Sequence, residues 1–150
     1  MSHRVTIIGD GGWGTALGLV LHRNGHRVTM WGHDAEYMRE VRERRKNVRF
    51  LPGIDLPEVL KWSADRDAVS ASADAFVIAV PSKFYKQTLA GFHGLIPAHA
   101  SVVSVSKGLL QDRRLSEWAA EILELSTVAA LSGPSHAEEV ALNAPTAVTA

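Results

Sequence analysis

Residues 4–16 read Arg4-Val5-Thr6-Ile7-Ile8-Gly9-Asp10-Gly11-Gly12-Trp13-Gly14-Thr15-Ala16, and this stretch decides the fold. Arg4 to Ile8 predicts a strand because β-branched residues dominate it. Apolar spacing from about Gly12 to Asn24 predicts a helix that ends before Gly25, with a core-facing stripe of Trp13, Ala16, Leu17, Val20 and Leu21. Between them lie the glycines of a G-x-G-x-x-G pattern. A strand, this spacing and a helix together favour a loop that binds a diphosphate. The alternative is a glycine-rich turn that holds no ligand.

The motif glycines have separate roles in this interpretation. Gly9 permits the tight turn, Gly11 lets the backbone approach a pyrophosphate, and Gly14 lets the helix pack on the strand. Free N–H groups and the positive end of the helix dipole would then face the anion. A carboxylate inside such a loop repels phosphate, so we expect the Asp10 side chain to point away into solvent.

Short runs rich in Val, Ile and Ala alternate with longer stretches of helical periodicity. This alternation predicts an α/β fold with a Rossmann-like, doubly wound and mainly parallel sheet that carries helices on both faces. A second helix is predicted from about Asp34 to Arg45, with an exposed Glu40–Arg44 ion pair, and a loop from Asn47 to Leu60. The predicted strands are Arg4–Ile8, Arg27–Trp31, Ala75–Val80, Ser101–Val105, Thr127–Leu131 and a run from about Thr146.

The composition limits the classes of function. A length of 150 residues with 46% apolar side chains fits one domain with a buried core and leaves no room for a multidomain enzyme. Sixteen Lys and Arg balance sixteen Asp and Glu, so neither nucleic acid nor an anionic membrane is an expected partner. The absence of cysteine excludes disulfides and Cys-ligated zinc.

The expected compartment is the cytoplasm, without membrane insertion, because no apolar run is long enough to cross a bilayer. No histidine spacing supports a metal site. The strand-like run Ala147 to Ala150 is followed by no further element, and this indicates part of a longer polypeptide.

Asp34 lies twenty residues after Gly14, directly beyond the second predicted strand. An acidic residue there can accept hydrogen bonds from the adenosine ribose of a dinucleotide, and it can equally cap the following helix. His33 and Trp31 flank the same position, where either ring could contact adenine or a 2′-phosphate. Trp31 could also belong to the core.

Three further turns follow predicted strands, at the sheet edge where ligands bind in parallel sheets. They are Val80-Pro81-Ser82, Ser106-Lys107-Gly108 and Leu131-Ser132-Gly133-Pro134-Ser135-His136-Ala137-Glu138. The Lys107 ammonium could hold an anion or polarise a substrate oxygen, or it could be a solvated loop lysine. Ser135 and Glu138 have the spacing of a capping box. His136 lacks an identifiable partner, so we expect a rim contact rather than a general base.

In order and spacing these motifs resemble the N-terminal cofactor domain of bacterial-type NAD(P)-dependent glycerol-3-phosphate dehydrogenases. The similarity runs the length of the chain and includes Trp31-Gly32-His33, the segment Asn47 to Gly53, and the sequence from Leu131 to Val140. It implies hydride transfer between a nicotinamide cofactor, NAD or NADP, and the pair dihydroxyacetone phosphate and sn-glycerol 3-phosphate. That reaction would feed glycerophospholipid synthesis.

The resemblance also assigns roles to residues. Cofactor contacts would come from the loop glycines and from Trp13, His33, Asp34, Phe50, Lys107 and Ala137, and substrate contacts from Lys107, Gly133 and Ser135. The family's general base, a second lysine, lies in an all-helical C-terminal domain that these residues do not include, so no catalytic residue is assigned here. The segment alone is expected to bind cofactor without turnover. The face that would dock the helical domain could also support a homodimer.

Two departures from the family pattern concern the cofactor. Many members have Ala and Ser where this chain has Asp10 and Gly12, and some have an arginine where it has Asp34. The acid at position 34 favours NAD over NADP. Two other functions stay open: a stand-alone NAD(H)-binding sensor or scaffold without catalysis, and a related hydroxyacid or sugar-acid dehydrogenase.

Overall fold

A computed structural model describes residues 1–150, and none of its helices is long and apolar enough to cross a membrane. The strands are β1 (Arg4–Ile8), β2 (Arg27–Trp31), β3 (Lys61–Ser63), β4 (Ala75–Ile78), β5 (Ser101–Ser104), β6 (Leu109–Leu110), β7 (Arg113–Arg114) and β8 (Ala129–Ala130). The helices are α1 (Gly12–Arg23), α2 (Ala35–Arg44), α3 (Arg66–Ala71), α4 (Ser82–Ala90), α5 (Leu115–Ile122) and α6 (Ala137–Ala141).

Six strands form one parallel sheet in the order β3-β2-β1-β4-β5-β8. The chain moves outward from β1 to β3, crosses back to β4 beside β1, and then moves outward in the other direction. This is a Rossmann-like doubly wound sheet, as the sequence predicts. The reversal of strand order opens a crevice at the carboxyl ends of β1 and β4, where such sheets bind ligands.

Two buried clusters lie on opposite faces of the sheet because alternate strand residues point to opposite faces. Ile7 and Met30 belong to the cluster beneath α1 and α2, whereas Ile8 and Phe76 belong to the cluster beneath α4 and α5. Both faces of the central strands are therefore covered. Their nearly continuous apolar sequence follows from this burial.

β1 and β2 have the bounds predicted from the sequence, and Asp34 and Arg45 flank α2. Glu40 and Arg44 form the expected ion pair at 3.4 Å, and Gly25 has a φ of +85° after α1. The predicted apolar stripe of α1 is only partly right. Ala16 is its single fully buried member, and the face against the sheet consists of Gly14, Thr15, Ala16, Gly18 and Leu19.

The later strands differ most from prediction. The strand expected over Thr127–Leu131 is reduced to Ala129–Ala130, and the run from Thr146 contributes only an antiparallel bridge between Ser132 and Thr149. β3 was not predicted, because it is three residues long and buries only Trp62 fully. The β6–β7 hairpin was also missed, since its turn uses Gln111 and Asp112 at positive φ where glycine or asparagine is usual.

Candidate functional site

The turn after β1 is held in place by contacts that tolerate only glycine at two positions. Gly9 has a φ of +120°, and a Cβ there would overlap the carbonyl oxygen of Ala79 beyond β4. A Cβ on Gly14 would lie 3.0 Å from the Gly9 carbonyl oxygen and 3.1 Å from the Ala79 Cβ. The tight turn and the close packing of α1 on the sheet therefore have the geometry that the sequence predicts for these glycines.

Gly11 is different because no protein atom restricts it. It precedes α1 with φ −68° and ψ 172°, a conformation open to any residue, and a Cβ there would meet no atom within 4 Å. No side chain caps the first turn of α1. The unpaired N–H groups of a helix N-terminus thus face open space beside a residue that the fold does not require to be glycine.

Gly12 brings two other predicted site residues to the same turn. A Cβ on Gly12 would overlap the Phe50 carbonyl oxygen and lie 3.5 Å from the Ala137 Cβ. The Phe50 ring remains 47% exposed and packs edge-on against Tyr37 with ring centroids 6.0 Å apart. Gly12 therefore lies between the loop after α2 and the start of α6, where the approach leaves no room for a side chain.

Lys107 lies on the other side of the same helix start. Its Nζ donates a hydrogen bond of 3.0 Å to the Ser135 carbonyl oxygen and lies 5.6 Å from the centre of the Trp13 ring. Lys107 is exposed, and no carboxylate pairs with it. The Lys107 ammonium, which has no carboxylate partner, is thus held by a carbonyl oxygen close to the first turn of α1.

The Gly133–Ser135 turn does not form the capping box that the sequence suggested. α6 begins after His136, which supplies no side-chain cap, and the chain stays extended there with φ −106° and ψ 129°. The Ser135 backbone N–H donates instead to the Gly133 carbonyl oxygen at 3.0 Å, and the Ser135 side chain is buried. Gly133 has a φ of +156° and lies close to residues 147 and 148. The His136 side chain is exposed.

At the end of β2, Asp34 and Trp31 both have structural roles. The Asp34 carboxylate accepts a hydrogen bond from the Tyr37 N–H at 3.0 Å and pairs with Arg49 at 3.2 Å, and these contacts lower its pKa. Asp34 is therefore the N-cap of α2. Trp31 is buried, and its Nε1 donates to the Ala64 carbonyl oxygen, so it belongs to the core. His33 is exposed beside them.

Asp10 does not point into solvent, contrary to prediction. Its side chain lies against the end of β2, where a Cβ built on Gly32 would come within 2.9 Å of the Asp10 Cγ. This partial burial raises the pKa of the Asp10 carboxyl, because water no longer stabilises its charge fully. His33 and Arg49 oppose the shift, and Asp34 adds to it.

Sequence reasoning missed Asn47 as a site residue. Its side chain is fully buried, and its Nδ2 donates to the Asp10 carbonyl oxygen at 2.8 Å and to the Thr15 hydroxyl at 2.9 Å. Its Oδ1 accepts from the Tyr37 hydroxyl at 2.6 Å and from the Phe50 N–H at 3.3 Å. One amide thus joins the glycine turn to the loop that carries Phe50. A polar residue directly after a helix, in a loop otherwise rich in proline and glycine, was the available signal.

Two concave regions of the surface lie away from this edge. One, of about 700 Å³, lies at the amino ends of β1 and β2, and the other, of about 480 Å³, lies beside β3. Neither is lined by the glycine turn, Lys107 or Ser135. We place the site at the opposite edge because convergent free N–H groups and an unpaired cation identify an anion site better than volume does.

Comparison with known proteins gives one consistent family. Residues 4–150 match the model of the NAD-dependent glycerol-3-phosphate dehydrogenase N-terminus. The chain is 45% identical over 148 residues to the glycerol-3-phosphate dehydrogenase (NAD(P)+) of Geobacillus thermodenitrificans, a similarity that covers 96% of this chain and 43% of that protein.

Solved structures agree with the family model. A crystal structure of glycerol-3-phosphate dehydrogenase from Coxiella burnetii superposes with a TM-score of 0.90 at 38% identity, over 98% of this chain and 46% of that one. The enzyme of Saccharomyces cerevisiae gives 0.83 at 28% identity, over 95% and 45%. The chain thus spans less than half the length of these relatives. By fold and by sequence, it belongs to the family of NAD-dependent glycerol-3-phosphate dehydrogenase N-terminal domains.

Proposed function

We propose that residues 1–150 are a dinucleotide-binding domain that holds NAD(H) or NADP(H) for the interconversion of dihydroxyacetone phosphate and sn-glycerol 3-phosphate. The observation that carries this proposal is the open space at Gly11, beside the uncapped first turn of α1. A pyrophosphate would accept hydrogen bonds from those N–H groups and gain from the helix dipole. The nicotinamide, when bound, supplies or accepts the hydride.

The walls of the turn support the remaining cofactor contacts. Phe50 and Ala137 lie against Gly12 at the start of α1, and Trp13 follows in its first turn. These positions support the cofactor contacts that the family resemblance implies. His33 lies at the end of β2, where the adenosine half of an extended dinucleotide would reach. Asn47 holds the turn and the Phe50 loop together, so we assign it as a positioning residue.

Lys107 supports the substrate assignment. Its ammonium is held at 3.0 Å by the Ser135 carbonyl oxygen and has no carboxylate partner, so an anionic or carbonyl oxygen of the substrate would complete its hydrogen bonds. Gly133 and Ser135 form the adjacent turn. We propose that Lys107 orients the substrate, and that the general base lies outside residues 1–150. The segment alone would then bind coenzyme without turnover.

Two measurements on the purified protein test this function. Calorimetric titration with NADH should show one site per chain, and no heat of binding up to millimolar NADH would refute the dinucleotide site. The second measurement uses a protein of the full length of its relatives, because residues 1–150 are proposed to lack the general base. Oxidation of NADH that depends on dihydroxyacetone phosphate then distinguishes the dehydrogenase from a sensor or scaffold, and NADH binding without such oxidation would favour the sensor.

We further propose glycerophospholipid synthesis in the cytoplasm as the setting, and a homodimer as the assembly. The motivation for the homodimer is the apolar surface near the end of the chain, where Leu142 is 71% and Val148 46% exposed. Sedimentation should show an increase in mass with concentration, and a monomer at every concentration would exclude the dimer.

A further inference from the structure

Two carboxylates follow adjacent strands at the edge where adenosine would lie. Asp10 comes after β1 and Asp34 after β2, and these strands pair in parallel with Ile8 opposite Trp31. A ribose with two free hydroxyls is recognised by a carboxylate that accepts hydrogen bonds from it. The structure therefore offers two candidates for this role, of which the sequence singled out only Asp34.

Each carboxylate oxygen of Asp34 already has a partner within the protein. One of its oxygens accepts the Tyr37 N–H and caps α2, and the other accepts from the Arg49 guanidinium at 3.2 Å. Arg49 is itself stacked on the Tyr37 ring, with 3.8 Å from its guanidinium carbon to the ring centre. A ribose hydroxyl at Asp34 would share the carboxylate with a helix N–H and a guanidinium, which already compensate much of its charge.

Asp10 has the opposite character. No other residue donates a hydrogen bond to its carboxylate, although its own backbone is fixed by the Asn47 amide at 2.8 Å. The side chain lies over Gly32, at the point where a Cβ on that residue would block it. A partly desolvated carboxylate with a fixed backbone and free acceptor positions is suited to bind hydroxyl groups.

We infer that Asp10, rather than Asp34, accepts the hydrogen bonds of the adenosine ribose and makes this site selective for NAD(H) over NADP(H). The inference rests on the proposed function. A 2′-phosphate would replace a hydroxyl donor with a dianion beside the Asp10 carboxylate, and Arg49, the nearby guanidinium, is paired with Asp34. Repulsion is strong there because the carboxylate is partly removed from water.

The test is to measure Kd for NADH and for NADPH in five forms of the purified protein. These are the unchanged protein, Asp10→Asn, Asp10→Ala, Asp34→Asn and Glu36→Gln. Glu36 is an exposed acid in the first turn of α2 that makes no ion pair, so its replacement controls for net charge. Asp10→Asn keeps the side-chain shape and removes the charge, and Asp10→Ala removes the carboxylate altogether.

We expect Asp10→Asn to weaken NADH binding roughly tenfold, the loss of one charge-assisted hydrogen bond, and to lower the NADPH/NADH ratio of Kd values by at least as much. Asp34→Asn should leave Kd for NADH within about threefold and lower the melting temperature only slightly, because asparagine keeps the cap and only the exposed ion pair with Arg49 is lost. Glu36→Gln should change neither coenzyme's Kd by more than about twofold.

An unchanged ratio in both Asp10 variants would overturn the inference while leaving the proposed function intact. So would a tenfold loss of NADH affinity in Asp34→Asn alone. If the unchanged protein binds neither coenzyme, the proposed function itself fails and takes the inference with it. These outcomes are distinguishable because the unchanged protein is measured first.

Discussion

Replacing Gly11 with valine should weaken coenzyme binding roughly a hundredfold while leaving the fold intact. The backbone at Gly11 has φ −68° and ψ 172°, which valine adopts without strain, and no protein atom lies within 4 Å of the new Cβ. The folded state loses only the preference for glycine over valine before a helix, about 0.5–1 kcal/mol. The isopropyl group fills space that only a ligand would use.

The expected loss of affinity follows from the contacts that the valine would prevent. Moving the diphosphate away from the first turn of α1 removes hydrogen bonds from N–H groups to a charged acceptor, each worth about 1.5–3 kcal/mol. Losing two of them at the lower limit costs about 3 kcal/mol, or roughly a hundredfold in Kd. Calorimetric titration with NADH measures this directly.

Gly12→Ala provides the matched comparison, because its Cβ would overlap the Phe50 carbonyl oxygen. The overlap should destabilise the folded protein by about 1–3 kcal/mol, with a fall of about 2–4 °C in melting temperature per kcal/mol. Gly11→Val should therefore lose binding with little loss of stability, and Gly12→Ala should lose stability. Unchanged NADH affinity in Gly11→Val would refute the reasoning, since a diphosphate at this turn leaves no room for the side chain.

Asn47→Ala should destabilise the folded protein by about 3 kcal/mol, because it leaves buried hydrogen-bonding groups unpaired. Thermal unfolding should show this loss beside a near-neutral Gln87→Ala control, and an equal effect of the two would contradict the network. Asp10→Asn should raise the melting temperature near neutral pH but not below about pH 4, because burial raises the folded-state pKa and the charged form is penalised only above the unfolded value. A gain that does not depend on pH would rule out this cause. In a protein of the full length of its relatives, Lys107→Ala should lower kcat/KM with dihydroxyacetone phosphate by roughly a hundredfold, as expected for a lost cation at a reacting oxygen, whereas the exposed Lys83→Ala should not. Near-normal turnover would remove Lys107 from the substrate site.

The first βαβ unit was predictable because its signals are local. The glycine spacing, the β-branched run before it and Gly25 after α1 each act within a few residues of the chain. The elements that were predicted poorly depend on distant partners. β3 is held by pairing with β2 about thirty residues earlier, and the last strand is shortened to Ala129–Ala130 at the sheet edge.

The site shows the same division. Gly9 and Gly14 have the backbone geometry that their spacing predicts, whereas the positions of Asp10 and Asn47 depend on residues from separate segments. At Ser135, contacts with distant residues override a local sequence signal. Its spacing from Glu138 fits a capping box, but the bridge between Ser132 and Thr149 and the turn at Gly133 keep the chain extended beyond Ser135. No pattern in the sequence alone specifies such long-range constraints.

Amide resonances of the turn provide the most direct test of the coenzyme site. Titration of the labelled protein with NADH, followed by two-dimensional NMR, should shift the Gly11, Gly12 and Trp13 amide signals with a single saturation curve. The signals of amides that line the concavity at the amino ends of β1 and β2 should not shift. If NADH instead shifts the amide signals of that concavity and leaves those of the turn unchanged, the glycine loop is not where the coenzyme binds.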